Sequence, residues 1–361
     1  VYALVLPAAL GTLASGIAPR ITEWADTSRV SRDPFGGVPD PLYWAFYATA
    51  AVMLFVCAWL ISQRVKNYER GAADDRRTNK RNFHRRMKDF RAGVWMQTLM
   101  RDPAAGLMHS CIYFGFLGLF AATIILELDH QLPDNLKFLH GGVYQGYSFA
   151  ADLAGVVFII GIAWAIVRRY VQRPYRIRIK TKPEDAVILG MFLVIGITGF
   201  LTEAMRIALI GRPDFEKWSF VGYPIANLID ETSHIAGWHE FWWIIHVLTF
   251  VAFLAILPVT MLRHMFTSPM NMYLKDRDRP KGAMKPMPNL METELESFGA
   301  STIEDFTWKQ LLDTDACTMC GRCTSVCPAH ATGKPLDPRE IVLKTGEVMA
   351  ATAAHAHVTP P

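Results

Sequence analysis

The sequence predicts an all-α membrane protein, a helical bundle of five to six transmembrane helices with a small cysteine-bearing segment towards its C-terminal end. Three observations carry this. Of 361 residues, 51% are hydrophobic and 19% charged, with a mean hydropathy of +0.17; soluble domains are about a quarter charged. Six stretches approach the roughly 20 apolar residues that a helix needs to cross a bilayer. Four of the six cysteines fall between positions 317 and 327. Such a composition excludes a disordered chain and argues against an ordinary soluble enzyme. Six cysteines in this length are too few for a disulfide scaffold.

The apolar stretches are 1–17, 42–62, 106–128, 148–167, 185–210 and 241–262. The first is expected as a clipped helix or an uncleaved anchor, because no basic run precedes it as in a cleaved signal peptide. Asp152 and Glu203 are the clear acids inside these runs. Acids at membrane depth are costly and often functional, although both lie near a segment end, where a solvated carboxylate is the competing expectation. Net charge is only +4, and about half of the basic residues sit in two blocks. Residues 64–101 hold twelve Lys and Arg and 168–182 hold seven, whereas 129–147 holds only Lys137. The positive-inside rule therefore puts 64–101, 168–182 and everything after 262 in the cytoplasm, and the segments alternate consistently with that. Beside apolar 20-mers, anionic lipid is a simpler partner for the basic blocks than nucleic acid.

Eleven histidines are present, and position separates them. His109 opens the third stretch on the cytoplasmic side; His246 and His264 lie near the outer and cytoplasmic ends of the last. The 18-residue interval from 246 to 264 is five turns if the helix is continuous, which puts both rings on one face about 27 Å apart. That spacing suits two haems stacked across a membrane, each needing a second axial imidazole from a neighbouring helix. His109 is the natural partner of His264, and His130 is favoured for His246 over His140, His234 and His239. The competing expectation is that these rings are interhelical hydrogen-bond partners. His84, His355 and His357 read as solvated. Arg263, Arg101 or Arg168 is a candidate partner for haem propionates, or else only anchors lipid headgroups.

Residues 317–328 read CTMCGRCTSVCP, placing Cys317, Cys320, Cys323 and Cys327 before Pro328. This C-x2-C-x2-C-x3-C-P spacing is a strong signal for a [4Fe–4S] cluster in a ferredoxin-like iron–sulfur segment. A zinc knuckle is the weaker alternative, since zinc sites usually pair two separated hairpins. In two-cluster ferredoxins the fourth cysteine serves the other cluster. Residues 328–361 hold no further cysteine, so the second motif is expected from a missing C-terminal region or an additional iron–sulfur subunit. Cys57 and Cys111 are expected to be packing residues.

The stretch TDACTMCGRCTSVCPAHATGKPLDPREIVL resembles the first ferredoxin motif of membrane-bound iron–sulfur reductases related to the heterodisulfide reductase catalytic subunit. FWWIIHVLTFVAFLAILPVTMLRHMFTSPMNMYL resembles the last helix of their haem b domain, itself similar to the gamma subunit of respiratory nitrate reductase. RDPAAGLMHSCIYFGFLGLF and RRYVQRPYRIRIKTKPEDAVILGMFLVIGITGFLTEA fit the same pattern, so that the resemblance covers roughly residues 42–345. Haem domain and ferredoxin in one chain are most similar to electron-transfer flavoprotein:menaquinone oxidoreductases. By position, His246 and His264 match the last-helix haem ligands and His109 the early inner ligand. The second early-helix histidine of the nitrate reductase pattern would fall near Thr123, where this chain has none.

The resemblance implies four parts: an N-terminal helix and outer loop (1–41), a haem b domain (42–264), a cytoplasmic linker (265–312) and the first half of a ferredoxin domain (313–361). It implies a multi-pass protein of a bacterial or archaeal cytoplasmic membrane, with the iron–sulfur segment in the cytoplasm. Electrons would pass between electron-transfer flavoprotein, or another soluble redox donor, and membrane quinone. The cofactors would be one or two [4Fe–4S] clusters and one or two haems b. The alternatives are a heterodisulfide-reductase-like subunit coupling quinone to a thiol–disulfide couple, and a non-redox membrane anchor for a ferredoxin.

Overall fold

The computed structural model describes residues 27–74, 80–230, 234–275, 288–294 and 299–353. The apolar stretch 1–17, His355 and His357 lie outside the described residues. The helices are α1 (Asp40–Glu69), α2 (Lys80–Val94), α3 (Pro103–Gln131), α4 (Gly141–Ile166), α5 (Tyr175–Arg178), α6 (Pro183–Leu209), α7 (Gly222–Asn227), α8 (Ile235–Ile256), α9 (His264–Tyr273), α10 (Trp308–Asp315), α11 (Arg322–Ser325), α12 (Pro328–Ala331) and α13 (Pro338–Ala351). Five of these, α1, α3, α4 with its π-helical extension to Gln172, α6 and α8, are long and apolar enough to cross a membrane. Each expected stretch from 42 to 262 thus contains a helix. The chain divides into two compact units, residues 1–58, 102–174 and 181–256, and residues 59–101, 175–180 and 257–361.

In the first unit the helices pack through small residues. A Cβ on Gly115 of α3 would lie 2.7 Å from the backbone nitrogen of Phe158, and one on Gly161 of α4 would lie 2.7 Å from that of Ile112. Gly118 meets Ala154 in the same seam. Between lipid-embedded helices, where apolar burial gains little, close backbone approach of this kind supplies the attraction. Phe116, Phe158, Phe192 and Phe253, one each from α3, α4, α6 and α8, then meet at centroid distances of 5.7–6.5 Å. The outward side of α3 exposes Leu107, Phe114, Leu117, Ile124 and Leu128, an apolar stripe suited to acyl chains.

The last span ends earlier than the sequence pattern predicts. α8 stops at Ile256, and a turn containing Pro258 and a 3-10 turn (Met261–Arg263) precede α9. Pro258 has no amide proton to continue the ladder, and its ring clashes with the preceding turn. His246 and His264 therefore sit on two helices, so the five-turn register and the 27 Å separation do not apply.

The second unit has its own core. Tyr68, Ile303, Leu311, Leu312 and Met349 are buried together, with Leu274, Phe306 and Trp308 packed on them. Gly71 is pressed against the segment that leads into α10: a Cβ would fall 2.6 Å from the Trp308 nitrogen. α10 opens on a capping box formed by Thr307 and Gln310, a local device that satisfies otherwise orphaned amides. Within the stretch expected as a linker, residues 265–312, lie α9 and the start of α10.

The glycine seam gives a direct test. Gly161→Val should destabilise the detergent-solubilised protein by about 1–3 kcal/mol through overpacking, whereas Gly190→Ala, with nothing within 4 Å of its new Cβ, should leave the unfolding temperature unchanged or raised. Equal unfolding temperatures for the two variants would contradict the close approach.

Candidate metal centres

Within the first unit, α6 and α8 bring Thr198 and His246 together. Thr198 Oγ1 donates to the Val194 carbonyl at 2.8 Å and lies 3.1 Å from His246 Nδ1. With its proton spent on Val194, the hydroxyl oxygen accepts, so Nδ1 carries the imidazole proton and Nε2 keeps its lone pair. Gly199 lies against the same ring, and a Cβ there would stand 3.4 Å from His246 Cε1. Within the second unit His264 is held in the same way, its Nδ1 being 2.7 Å from the Met261 carbonyl. A carbonyl can only accept, which again leaves Nε2 as the lone-pair nitrogen. Burial pushes the His264 imidazole below its ordinary value, favouring the neutral form that ligates iron. Tying down one ring nitrogen so that the other faces a metal is how proteins orient axial histidines. Each of the two is thus an imidazole with Nδ1 tied down and the lone pair on Nε2, the donor type that haem iron takes.

The other expected histidines are spread along α3. His109 lies in its second turn and is half-buried. His130 is buried at the opposite end, against Phe35 and Tyr43, and lines a cavity of about 450 Å³ with Arg29, Arg32, Lys137 and His140. His140 and His234 are exposed, as is His84. His239 shares a helix with His246, so it cannot reach the same iron from the opposite side, and the sequence disfavours it. It is 2% exposed, and its Nδ1 has no hydrogen-bond partner among the described residues. Its seven-residue offset from His246, two turns on one face, is the signal that marks it.

The intramembrane acids are not solvated. Asp152 is 2% exposed and accepts the Val221 and Gly222 amides at 2.6 and 3.4 Å. Glu203 accepts Ser219 Oγ at 3.2 Å, and Ser219 in turn meets Ser148 at 2.8 Å. Beside them Arg206 and Glu216 form a buried ion pair at 2.7 Å, and Tyr144 donates to Glu216 at 2.9 Å. These bonds fasten the 214–222 loop into the end of the bundle. Two arginines considered for haem propionates also have carboxylate partners within the protein. Arg263 Nε donates to Asp315 at 2.8 Å, and Arg168 lies 3.6 Å from Asp102. Arg101 is exposed.

The cysteine loop follows α10. Met319 and Gly321 both take left-handed backbone conformations, φ 55° and 71°, and the chain coils tightly from Cys317 to Cys327. Gly321 adopts this without the steric cost a side chain meets. The four cysteines are free thiols; Cys320 and Cys323 are exposed, Cys317 and Cys327 half-buried. Among the described residues no three His, Cys, Asp or Glu side chains converge as a set. The fit to a cluster rests on four soft thiolate donors at ferredoxin spacing on a coiled, amide-presenting loop. Cys57 is buried and Cys111 packs beside Gly161, consistent with packing roles.

A lipid-facing helical bundle followed by a four-cysteine ferredoxin loop defines a multi-pass membrane iron–sulfur protein. Comparison with known proteins makes this specific. The chain belongs to the nitrate reductase gamma subunit family, whose model matches residues 94–279, and residues 308–329 match a 4Fe-4S binding domain. It is 34% identical over 257 residues to an EtfAB:quinone oxidoreductase of Syntrophomonas wolfei, covering 67% of this chain and 34% of that protein. It is 28% identical over 319 residues to the probable iron-sulfur-binding oxidoreductase FadF of Bacillus subtilis, covering 85% and 42%. It is also 30% identical over 115 residues to one subunit of the dihydromethanophenazine:CoB--CoM heterodisulfide reductase of Methanosarcina thermophila, covering 31% and 43%. The chain thus spans less than half the length of these relatives. No solved structure matches.

The Arg206–Glu216 pair predicts an acid limit to stability. Burial raises the Glu216 carboxyl, but the adjacent guanidinium outweighs it and holds the group below its ordinary 4.5. A depressed folded-state value contributes stability above pH 4.5 that is lost as pH falls through the folded value. The unfolding temperature should therefore drop as pH falls below about 4.5, and Glu216→Gln should flatten that slope. Arg206→Met, which strands a buried carboxylate, should cost about 3–5 kcal/mol at neutral pH.

Proposed function

We propose that the chain carries electrons between a cytoplasmic donor, electron-transfer flavoprotein, and membrane quinone, in a bacterial or archaeal cytoplasmic membrane with its cysteine loop on the cytoplasmic side. The observation that carries this reading is the shared state of His246 and His264. Each has its Nδ1 proton given to a protein oxygen, so that Nε2 carries the lone pair. Bound haem b and [4Fe–4S] clusters would supply one-electron transfer, which neither imidazole nor thiol performs alone at these potentials. His264 and His109, both expected at cytoplasmic segment ends, are the ligands assigned to an inner haem. His246 is assigned to an outer one with His130 as partner. Cys317, Cys320 and Cys323 are assigned to one cluster, and Cys327 to a second whose other ligands come from outside this chain.

Several features support the reading without depending on one another. A relative carries EtfAB and quinone in its name, and the matched nitrate reductase gamma segment includes all four candidate haem histidines. The basic blocks at 64–101 and 168–182 support the orientation.

A reduced-minus-oxidised visible spectrum of the purified full-length protein tests this. It should show a b-type α band at one or two haems per chain, and its absence would refute the reading. His264→Ala and His246→Ala should each remove one haem. His130→Ala should abolish the outer haem, whereas His239→Ala should leave it in place. Reduction by purified reduced flavoprotein, against a thiol donor, then separates the flavoprotein-linked reading from a heterodisulfide-linked one.

A further inference from the structure

One carboxylate in the second unit joins the peptide that carries His264 to the peptide that carries Cys317. Asp315 is the last residue of α10, two positions before the first cysteine of the loop, and is 3% exposed. Its carboxylate accepts Tyr68 Oη at 2.5 Å and Arg263 Nε at 2.8 Å, and Arg64 Nη1 lies 3.6 Å away. Its main-chain carbonyl accepts Thr267 Oγ1 at 3.0 Å, and the next carbonyl, of Ala316, accepts Ser268 Oγ at 3.5 Å. Arg263 immediately precedes His264, and its Nη1 donates to the Thr260 carbonyl at 2.8 Å. The turn that presents His264, the first turn of α9 and the entry to the cysteine loop are thus all fastened at Asp315. At the other end of α10, Lys309 Nζ donates to Asn271 of α9 at 2.6 Å and pairs with Asp313.

Packing alone does not account for this arrangement. The unit already has an apolar core around Leu311, Leu312 and Met349. Burying a carboxylate and its guanidinium partners carries a desolvation cost that well-packed apolar residues avoid. What a carboxylate with two hydrogen-bond donors and a nearby guanidinium adds is direction: it fixes α9 and the loop in angle and distance as well as in contact.

We infer that Asp315 is a positioning residue, which with Tyr68, Arg263 and Thr267 sets the separation and orientation of the iron–sulfur loop relative to His264 and so the rate of electron passage between the two centres. This inference rests on the electron-transfer reading above. The sulfurs and the His264 imidazole supply the ligands; the clamp supplies their spacing.

The experiment uses the full-length protein with its cofactors. The wild-type spectrum is taken first, and absence of haem there would defeat the electron-transfer reading itself, before any variant is made. With haem and cluster present, Asp315→Asn should keep the haem bands and the cluster's paramagnetic signal. It should slow single-turnover haem reduction by electrons placed on the cluster several-fold, because the probability of electron transfer falls exponentially with the separation of the two centres. It should also weaken the magnetic relaxation of the cluster signal by the haem, a distance readout that a general loss of stability does not move. Tyr68→Phe keeps the ring and removes one bond, so it should slow transfer less; it serves as the reporter if Asp315→Asn does not assemble. Glu304→Gln removes an exposed ion pair with Arg70 in the same unit and should leave the rate unchanged. Wild-type rate and relaxation in the loaded Asp315 or Tyr68 variant, or equal slowing in the Glu304 variant, would overturn the inference.

Discussion

Inside a lipid-embedded bundle a polar group has no water to fall back on, so every donor, acceptor and charge must find a partner within the protein. That constraint organises the first unit. Asp152 and Glu203 persist there because backbone amides and Ser219 take up their oxygens. Glu216 persists because Arg206 and Tyr144 face it. His246 falls under the same rule: with Thr198 as its neighbouring acceptor, its proton is confined to Nδ1. A ring held in one tautomer, with its lone pair on the other nitrogen, is a ligand in waiting. Solvent-exposed histidines such as His84 and His140 carry no such restriction.

The second unit solves a different problem. It must hold a cysteine loop rich in left-handed residues steady on a small body of short helices. The apolar cluster around Leu311 and Met349 gives it cohesion, while ionic bonds at Asp315 and Arg70 give it direction. Arg263 shows how the two demands meet. It lies beside His264, where a cation suits a haem carboxylate, yet its Nε is committed to Asp315. That bond ties the turn before His264 to the residue that precedes the cysteine loop.

Membership in the nitrate reductase gamma family accounts for the helical half of the chain, and the 4Fe-4S match for the loop. The relatives differ in what their names say they act on, from an EtfAB:quinone couple to a heterodisulfide. Likeness to proteins whose names differ in this way is consistent with function residing in sites grafted onto a common scaffold. The helices and the cysteine loop belong to that scaffold.

The sequence alone determined the helical membrane class, five of the spans and the cluster motif. Each is a local signal: twenty apolar residues in a row, or four thiols at fixed intervals, mean the same thing wherever they fold. It also marked His246 and His264, but derived their relation from an unbroken helix that Pro258 interrupts. Only tertiary structure decided the rest, because those features join residues remote in the chain. Thr198 and His246, Asp152 and Gly222, and Asp315 with Tyr68 meet across 48, 70 and 247 positions. No periodicity records such pairings. They exist because desolvated polar groups must be satisfied by whatever the packing of the helices brings within about 3 Å.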